Sequence, residues 1–143
     1  MTSNEDVRSV SGNAGSLEWN MVFHPEENLV IVQTKGPIDK HSMPAMLKAT
    51  VDFLRQHQCN LVIGDHRASE LKMDVFETFG SPQALFHERA DWNTRAALVY
   101  SSITENHKFM ETVFLNAGRS VALFTDLNAA RAWLTAKPGA GKK

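Results

Sequence analysis

Asp65, His66 and Arg67 follow one another one residue past the apolar run 61–63, where a buried strand would end. A carboxylate, an imidazole and a guanidinium side by side can bind an anion, pair with each other, or titrate near neutral pH. Two further runs, 96–100 and 121–124, end on hydroxyl and acidic residues: Ser101 and Ser102 after the first, Thr125 and Asp126 after the second. In open α/β sheets ligands sit beyond the carboxyl ends of parallel strands. Asp65, His66, Arg67, Ser101 and Asp126 are therefore the candidate contact residues for a ligand or partner. Each also has a plainer role. An Asp–Arg neighbour pair can neutralise itself, a histidine between two charges is ordinarily exposed, and Asp126 suits a helix cap. Ser101 lacks the flanking glycines of a nucleophile elbow.

A second candidate region spans residues 74–92. Asp74 can cap a helix carrying Phe76 and Phe79, and Gly80 and Pro82 break it before a second short helix. So much large apolar surface on a broken helix pair is either core or a movable amphipathic lid over an apolar ligand. Its charge, Asp74, Glu77, Glu88 and Asp91 against Arg89, suits anionic lipid poorly, so any membrane contact is at most peripheral.

Other chemistries find no support. The six histidines are not paired with one another, or with Cys or Asp, at metal-ligand spacing. The terminal sequence GAGKK lacks the earlier glycine, the hydroxyl residue and the following helix that a phosphate loop needs. Cys59, the one cysteine, cannot form an internal disulfide and suits a plain buried thiol. With 15 basic and 16 acidic residues there is no whole-molecule field for nucleic acid. No triad, metal set or cofactor fingerprint is present, so neither enzyme activity nor a cofactor is expected.

The elements that must position these residues alternate. Four short apolar runs, 29–32, 61–63, 96–100 and 121–124, are each followed by a stretch with apolar residues three or four apart. Strands alternating with helices imply a mainly parallel sheet. Residues 19–24 and 29–35 predict an antiparallel hairpin around the turn 25–28, with Gly36 and Pro37 stopping its second strand. Asp39 caps a helix to about residue 56, whose inner stripe is Met43, Met46, Leu47, Val51 and Leu54. A third strand spans 61–65, with a loop crossing Leu71, and a fourth spans 95–100. The next helix opens at Thr104 and turns Phe109, Met110, Val113 and Phe114 inward. Gly118 ends it, and a fifth strand spans 119–125. Asp126 then caps the last helix. Residues 1–16 and 137–143 are expected to be flexible tails around one domain, 17–136. No segment has the composition of a signal peptide or a membrane span, so a cytoplasmic protein is expected.

HPEENLVIVQTKGPI behind a Trp-led strand, then LVIGDHR, RAALVYSS and, most specifically, FMETVFLNAGRSVALFTDLNAARAWL together resemble the SpoIIAA-like family, relatives of the STAS domain and of bacterial anti-sigma-factor antagonists. The resemblance covers roughly residues 17–135. It implies an α/β fold with a single five-stranded, mostly parallel sheet, an N-terminal antiparallel hairpin and a (βα)n superhelix, helices mainly on one face. It also implies a regulatory protein that works by binding. Sporulation-type antagonists carry a phosphorylatable serine in an Asp-Ser-Ser-Gly-type motif at the helix after the third strand. Here residues 72–76 are Lys-Met-Asp-Val-Phe, and Ser69 lies in the preceding loop, so the phosphoswitch is expected to be absent.

Two functions follow as expectations. One is a non-enzymatic interaction module docking a protein partner through the strand ends and the 74–92 segment. The other is a domain for a small apolar ligand or lipid, with 74–92 as its lid. A homodimer covering the hairpin edge or a bare sheet face is compatible with either.

Overall fold

The computed structural model describes residues 8–72, 94–116 and 120–136. Their strands form one sheet in sequential order: β1 (Ser9–Ala14), β2 (Leu17–His24), β3 (Leu29–Ile38), β4 (Leu61–Leu71), β5 (Arg95–Val99) and β6 (Ser120–Phe124). β1–β2 and β2–β3 are antiparallel, and β3 to β6 are parallel neighbours. The helices among the described residues are α1 (Ser42–Gln56), α2 (Glu105–Asn116) and α3 (Leu127–Thr135).

The sheet has six strands where five were expected, and the difference lies in the expected N-terminal tail. Residues 9–14 pair with β2 from Ser9↔Val22 to Ala14↔Leu17, through a turn at Gly15. The segment SVSGNA lacks an apolar alternation because it is an edge strand with little to bury. Its Gly12 serves a close approach: a Cβ there would stand 2.6 Å from Trp19 Nε1. β1 therefore lies against the buried Trp19 side chain.

Sequential order makes successive parallel crossovers return on the same side. α1 and α2 accordingly pack on one face, over Val30, Val32, Val62, Leu98 and Val121. α3 follows the last strand and crosses the opposite face, burying Ala130 and Leu134 on Leu29, Ile63, Ala97 and Val99. The central strands are covered on both faces, which is why their sequences are continuous apolar runs. The Arg95 guanidinium lies 4.3 Å above the Trp133 ring and reaches the Trp133 and Leu134 carbonyls at the helix end.

Two strands run beyond their expected limits. β3 continues through Gly36 and Pro37 to Ile38, because past Lys35 it pairs with β4 alone. On that open edge the missing proline N–H is harmless. β4 continues six residues past Asp65 to Leu71 for the same reason: this half of β3 remains its partner after β5 has ended. Ser69 is therefore a strand residue, its hydroxyl 2.7 Å from Thr34 Oγ1.

α1 is capped as expected: Asp39 Oδ1 accepts from the N–H groups of His41 at 2.9 Å and Ser42 at 2.8 Å. Those bonds, Ser42 first, hold the Asp39 carboxyl below its ordinary range. The α2 stripe buries Met110, Val113 and Phe114, but Phe109, expected inward, is exposed. His107 takes the inward position one turn earlier instead. Cys59 is a buried thiol bonded to the Asn28 and Leu61 carbonyls, and burial raises its pKa. Gly118 and residues 74–92, with Asp74, Phe76 and Phe79, lie outside the described residues.

Candidate functional site

The site is built on an irregularity in β4. Gln33 pairs with Asp65 and Lys35 with Ala68, so His66 and Arg67 together face the single residue Thr34. An extra residue in one strand locally breaks the ladder and re-aims side chains. Here it lies where β5 ends, since Asp65↔Val99 is the last pair of that ladder. The three ionisable residues thus sit at the carboxyl end of the parallel strands although β4 itself continues.

They divide between the two faces. Asp65 and Arg67 share the α3 side. Arg67 Nε donates to Asp65 Oδ1 and Nη2 to Oδ2, both at 2.8 Å, and the Arg67 backbone N–H adds a third bond at 3.3 Å. The fork is bidentate, the strong arrangement for this pair. The Asp65 side chain is only 4% exposed and that of Arg67 45%. The Arg67 hydrogen bonds hold the Asp65 carboxyl below its ordinary range despite burial. Arg67 is raised by Asp65 first, and Asp126 adds to the same effect through its charge. Asp126 meanwhile caps α3, its Oδ2 accepting from Ala129 N–H at 2.8 Å. Of the expected contact residues, the structure therefore groups Asp65, Arg67 and Asp126. Ser101 is exposed in the bend after β5, at the same end of the sheet.

His66 goes the other way, and the expectation of an exposed imidazole titrating near neutrality is overturned. The ring is buried on the α1–α2 side, with Nδ1 2.8 Å from Thr34 Oγ1. Burial lowers its pKa to about 4, outweighing the opposite pull of Asp65. The alternation of β4 explains the split: Asp65 and Arg67 lie two apart on one face and His66 between them on the other.

Two residues beside it escaped the sequence reading as site groups. The Tyr100 ring centroid lies 5.3 Å from that of His66 and 4.2 Å from that of His107. His107 closes a capping box with Thr104: its Nδ1 accepts from Thr104 N–H at 3.0 Å, and its own N–H reaches Thr104 Oγ1 at 3.4 Å. With Nδ1 accepting, the neutral ring carries its proton on Nε2, which is buried without a hydrogen-bond partner among the described residues. The usable signals were Thr104 three residues before His107, and Tyr100 at a strand end.

On the α3 side, a shallow cleft of about 720 Å³ runs across the N-terminal strands between Asn13, Glu18, Asn20, Gln33 and Lys35. Its lining is mixed, with Trp19 and Ala68 beside the polar groups. Among the described residues no group of His, Cys, Asp and Glu is placed to hold a metal ion, and no helix is long and apolar enough to cross a membrane.

A solved structure is similar to this chain in fold. The crystal structure of an anti-sigma factor antagonist from Mycobacterium paratuberculosis aligns over 89% of this chain and 100% of its own, with a TM-score of 0.56 and 16% identity. This chain has the SpoIIAA-like (STAS) fold. No protein-family model and no curated protein matches it in sequence. Within the STAS fold, the Asp65–Arg67 pair stands at the strand ends and His66 beneath α1 and α2.

Proposed function

We propose that this chain is a non-enzymatic regulatory module that docks on a protein partner, with Arg67, Asp126 and Ser101 at the contact. The fold it shares with an anti-sigma factor antagonist supports the module. The observation that carries the site is Arg67, half-exposed at the strand ends yet locked in place by two bonds to a buried carboxylate. An arginine whose fork is already fixed loses little conformational freedom on binding. We read the module as working without a phosphorylated serine, since residues 72–76 hold none.

The test is quantitative affinity purification of the tagged chain from its native cells, beside an Arg67→Glu variant shown to fold. A stoichiometric protein retained by the parent chain and lost by the variant is the expected result. Equal retention by both overturns the assigned contact, and the absence of any stoichiometric protein overturns the docking reading. The intact mass of the same preparation is expected to carry no phosphoryl increment.

A further inference from the structure

A cavity of about 110 Å³ lies between the α1–α2 pair and the sheet, on the opposite side of β4 from the Asp65–Arg67 pair. Met43, Met46, Met110, Phe114 and Leu98 supply much of its wall. Native interiors hold few voids larger than a water molecule, so a space of this size needs an explanation.

Among the described residues a water would find few polar partners in it. Among the described lining residues the polar side chains are Thr50, His66 and Tyr100. The Thr50 hydroxyl already donates to the Met46 carbonyl at 2.8 Å, inside its own helix. His66 engages Thr34 through Nδ1. Its other ring nitrogen, Nε2, stands where a side chain on Gly64 would be, 2.6 Å from an ideal Cβ position. Gly64 and His66 both line the cavity, so Nε2 forms part of its floor. A buried water wants two to four polar partners, whereas apolar cavities of about this scale stay dry and take up benzene or xenon. The three methionines can adjust their shape around an occupant.

We propose that this cavity binds a small neutral molecule consisting of one apolar ring and one hydroxyl. The ring packs among Met46, Leu98, Met110 and Phe114, and the hydroxyl meets His66 Nε2. The imidazole, hydrogen-bonded by a threonine hydroxyl on its other edge, offers a single donor or acceptor at a fixed place. A neutral hydroxyl can answer either tautomer. A charged ligand is disfavoured by the apolar wall, because none of its described lining residues carries a charge that would compensate a buried one. This site is independent of the docking contact, which faces the other side of the sheet.

The test titrates the full chain, its methionine methyl groups labelled for NMR, with phenol and separately with benzene. The expected result is saturable shifts at Met43, Met46 and Met110 with both, phenol binding up to about tenfold tighter through one hydrogen bond. Leu98→Phe fills the space and should abolish both. If that variant does not fold, Met110→Phe serves the same purpose from the helix side. His66→Phe should retain benzene and lose the preference for phenol. Absence of saturable shifts with either compound overturns the proposal, as does binding that survives filling of the cavity. Equal affinity for the two compounds in the parent chain overturns the role of His66.

Discussion

The His66 imidazole lies over Gly64, two residues earlier on the same face of β4, so closely that a Cβ on Gly64 would stand 2.6 Å from His66 Nε2. The same Cβ would meet Leu98 Cδ2 at 3.1 Å. The glycine is therefore required by a close approach. Gly64→Ala must displace the ring from its bond with Thr34 or move Leu98, and overpacking of this kind costs about 1–3 kcal/mol. Urea denaturation should show that loss in the single variant. In a Gly64→Ala/His66→Ala double variant the cost should fall well short of the sum of the two single effects. Simple additivity would mean that the two positions do not interact.

Acid should weaken this protein before its carboxylates protonate. The buried His66 titrates at about 4 in the folded chain, against its ordinary 6.5 when unfolded. As pH falls below 6.5 the unfolded chain takes up a proton that the native ring refuses, so stability declines. The decline levels off for this group below about 4, where the native ring also protonates. The interval corresponds to about 3 kcal/mol. Burial lowers the pKa of His107 as well, so it acts in the same direction. Asp65, held below the ordinary carboxylate range by Arg67, adds a further loss at lower pH. Denaturation midpoints between pH 7 and 4 should fall steeply in the parent chain and less in His66→Gln. Equal slopes would contradict the burial of His66.

The Asp65–Arg67 pair should respond unequally to removal of its two members. Asp65 is buried and depends on Arg67 for both side-chain bonds, while Arg67 is half in solvent. Arg67→Met leaves a buried carboxylate with a single backbone N–H, at a cost of about 1–3 kcal/mol once solvent screening of the exposed arginine is allowed for. Asp65→Asn keeps an oxygen for Arg67 Nε and returns the guanidinium to water, so it should cost less. The Asp65 carboxyl should also titrate higher in Arg67→Met, because its strongest stabiliser is gone. Carboxyl NMR titration measures that shift, and an unchanged value would mean that the pair does not form in solution.

How far the sequence disclosed this arrangement depended on which signals were local. The parallel β3–β6 core was legible because strands covered on both faces must be apolar throughout, and the Asp39 and Asp126 caps because a cap is a matter of neighbouring residues. The limits of β3 and β4 were not legible. Pro37 ends a strand only where both edges are paired, and the early ends of the β2 and β5 ladders are tertiary facts. The fate of His66 was hidden for a related reason. Alternation put it on the face opposite Asp65 and Arg67, but which face would be dry depended on α1 and α2 packing there. Gly64 was the one local hint, since a glycine within an apolar strand marks a close approach. Ser101 and Asp126 could be placed at the right end of the sheet from strand order alone, whereas the electrostatic link from Asp126 to Arg67 needed the fold.

β1 shows most plainly what a polar edge strand can conceal, and it makes the last prediction. Its pairing with β2 covers residues 9–14, and Gly12 lies opposite Trp19 in register. A Cβ at Gly12 would reach Trp19 Nε1 at 2.6 Å and Cε2 and Cζ2 at 2.8 Å. Gly12→Val must therefore either lift β1 from the sheet or turn the indole out of the core that Trp19 shares with Leu17 and Met21. Removal of residues 1–15 uncovers the same indole without the clash. Both changes should red-shift the Trp19 emission, read in a chain whose other tryptophans, Trp92 and Trp133, are replaced by phenylalanine. Both should also lower the denaturation midpoint. A truncated chain with unshifted emission and unaltered stability would show that β1 adds nothing to the sheet, and that the domain begins at β2.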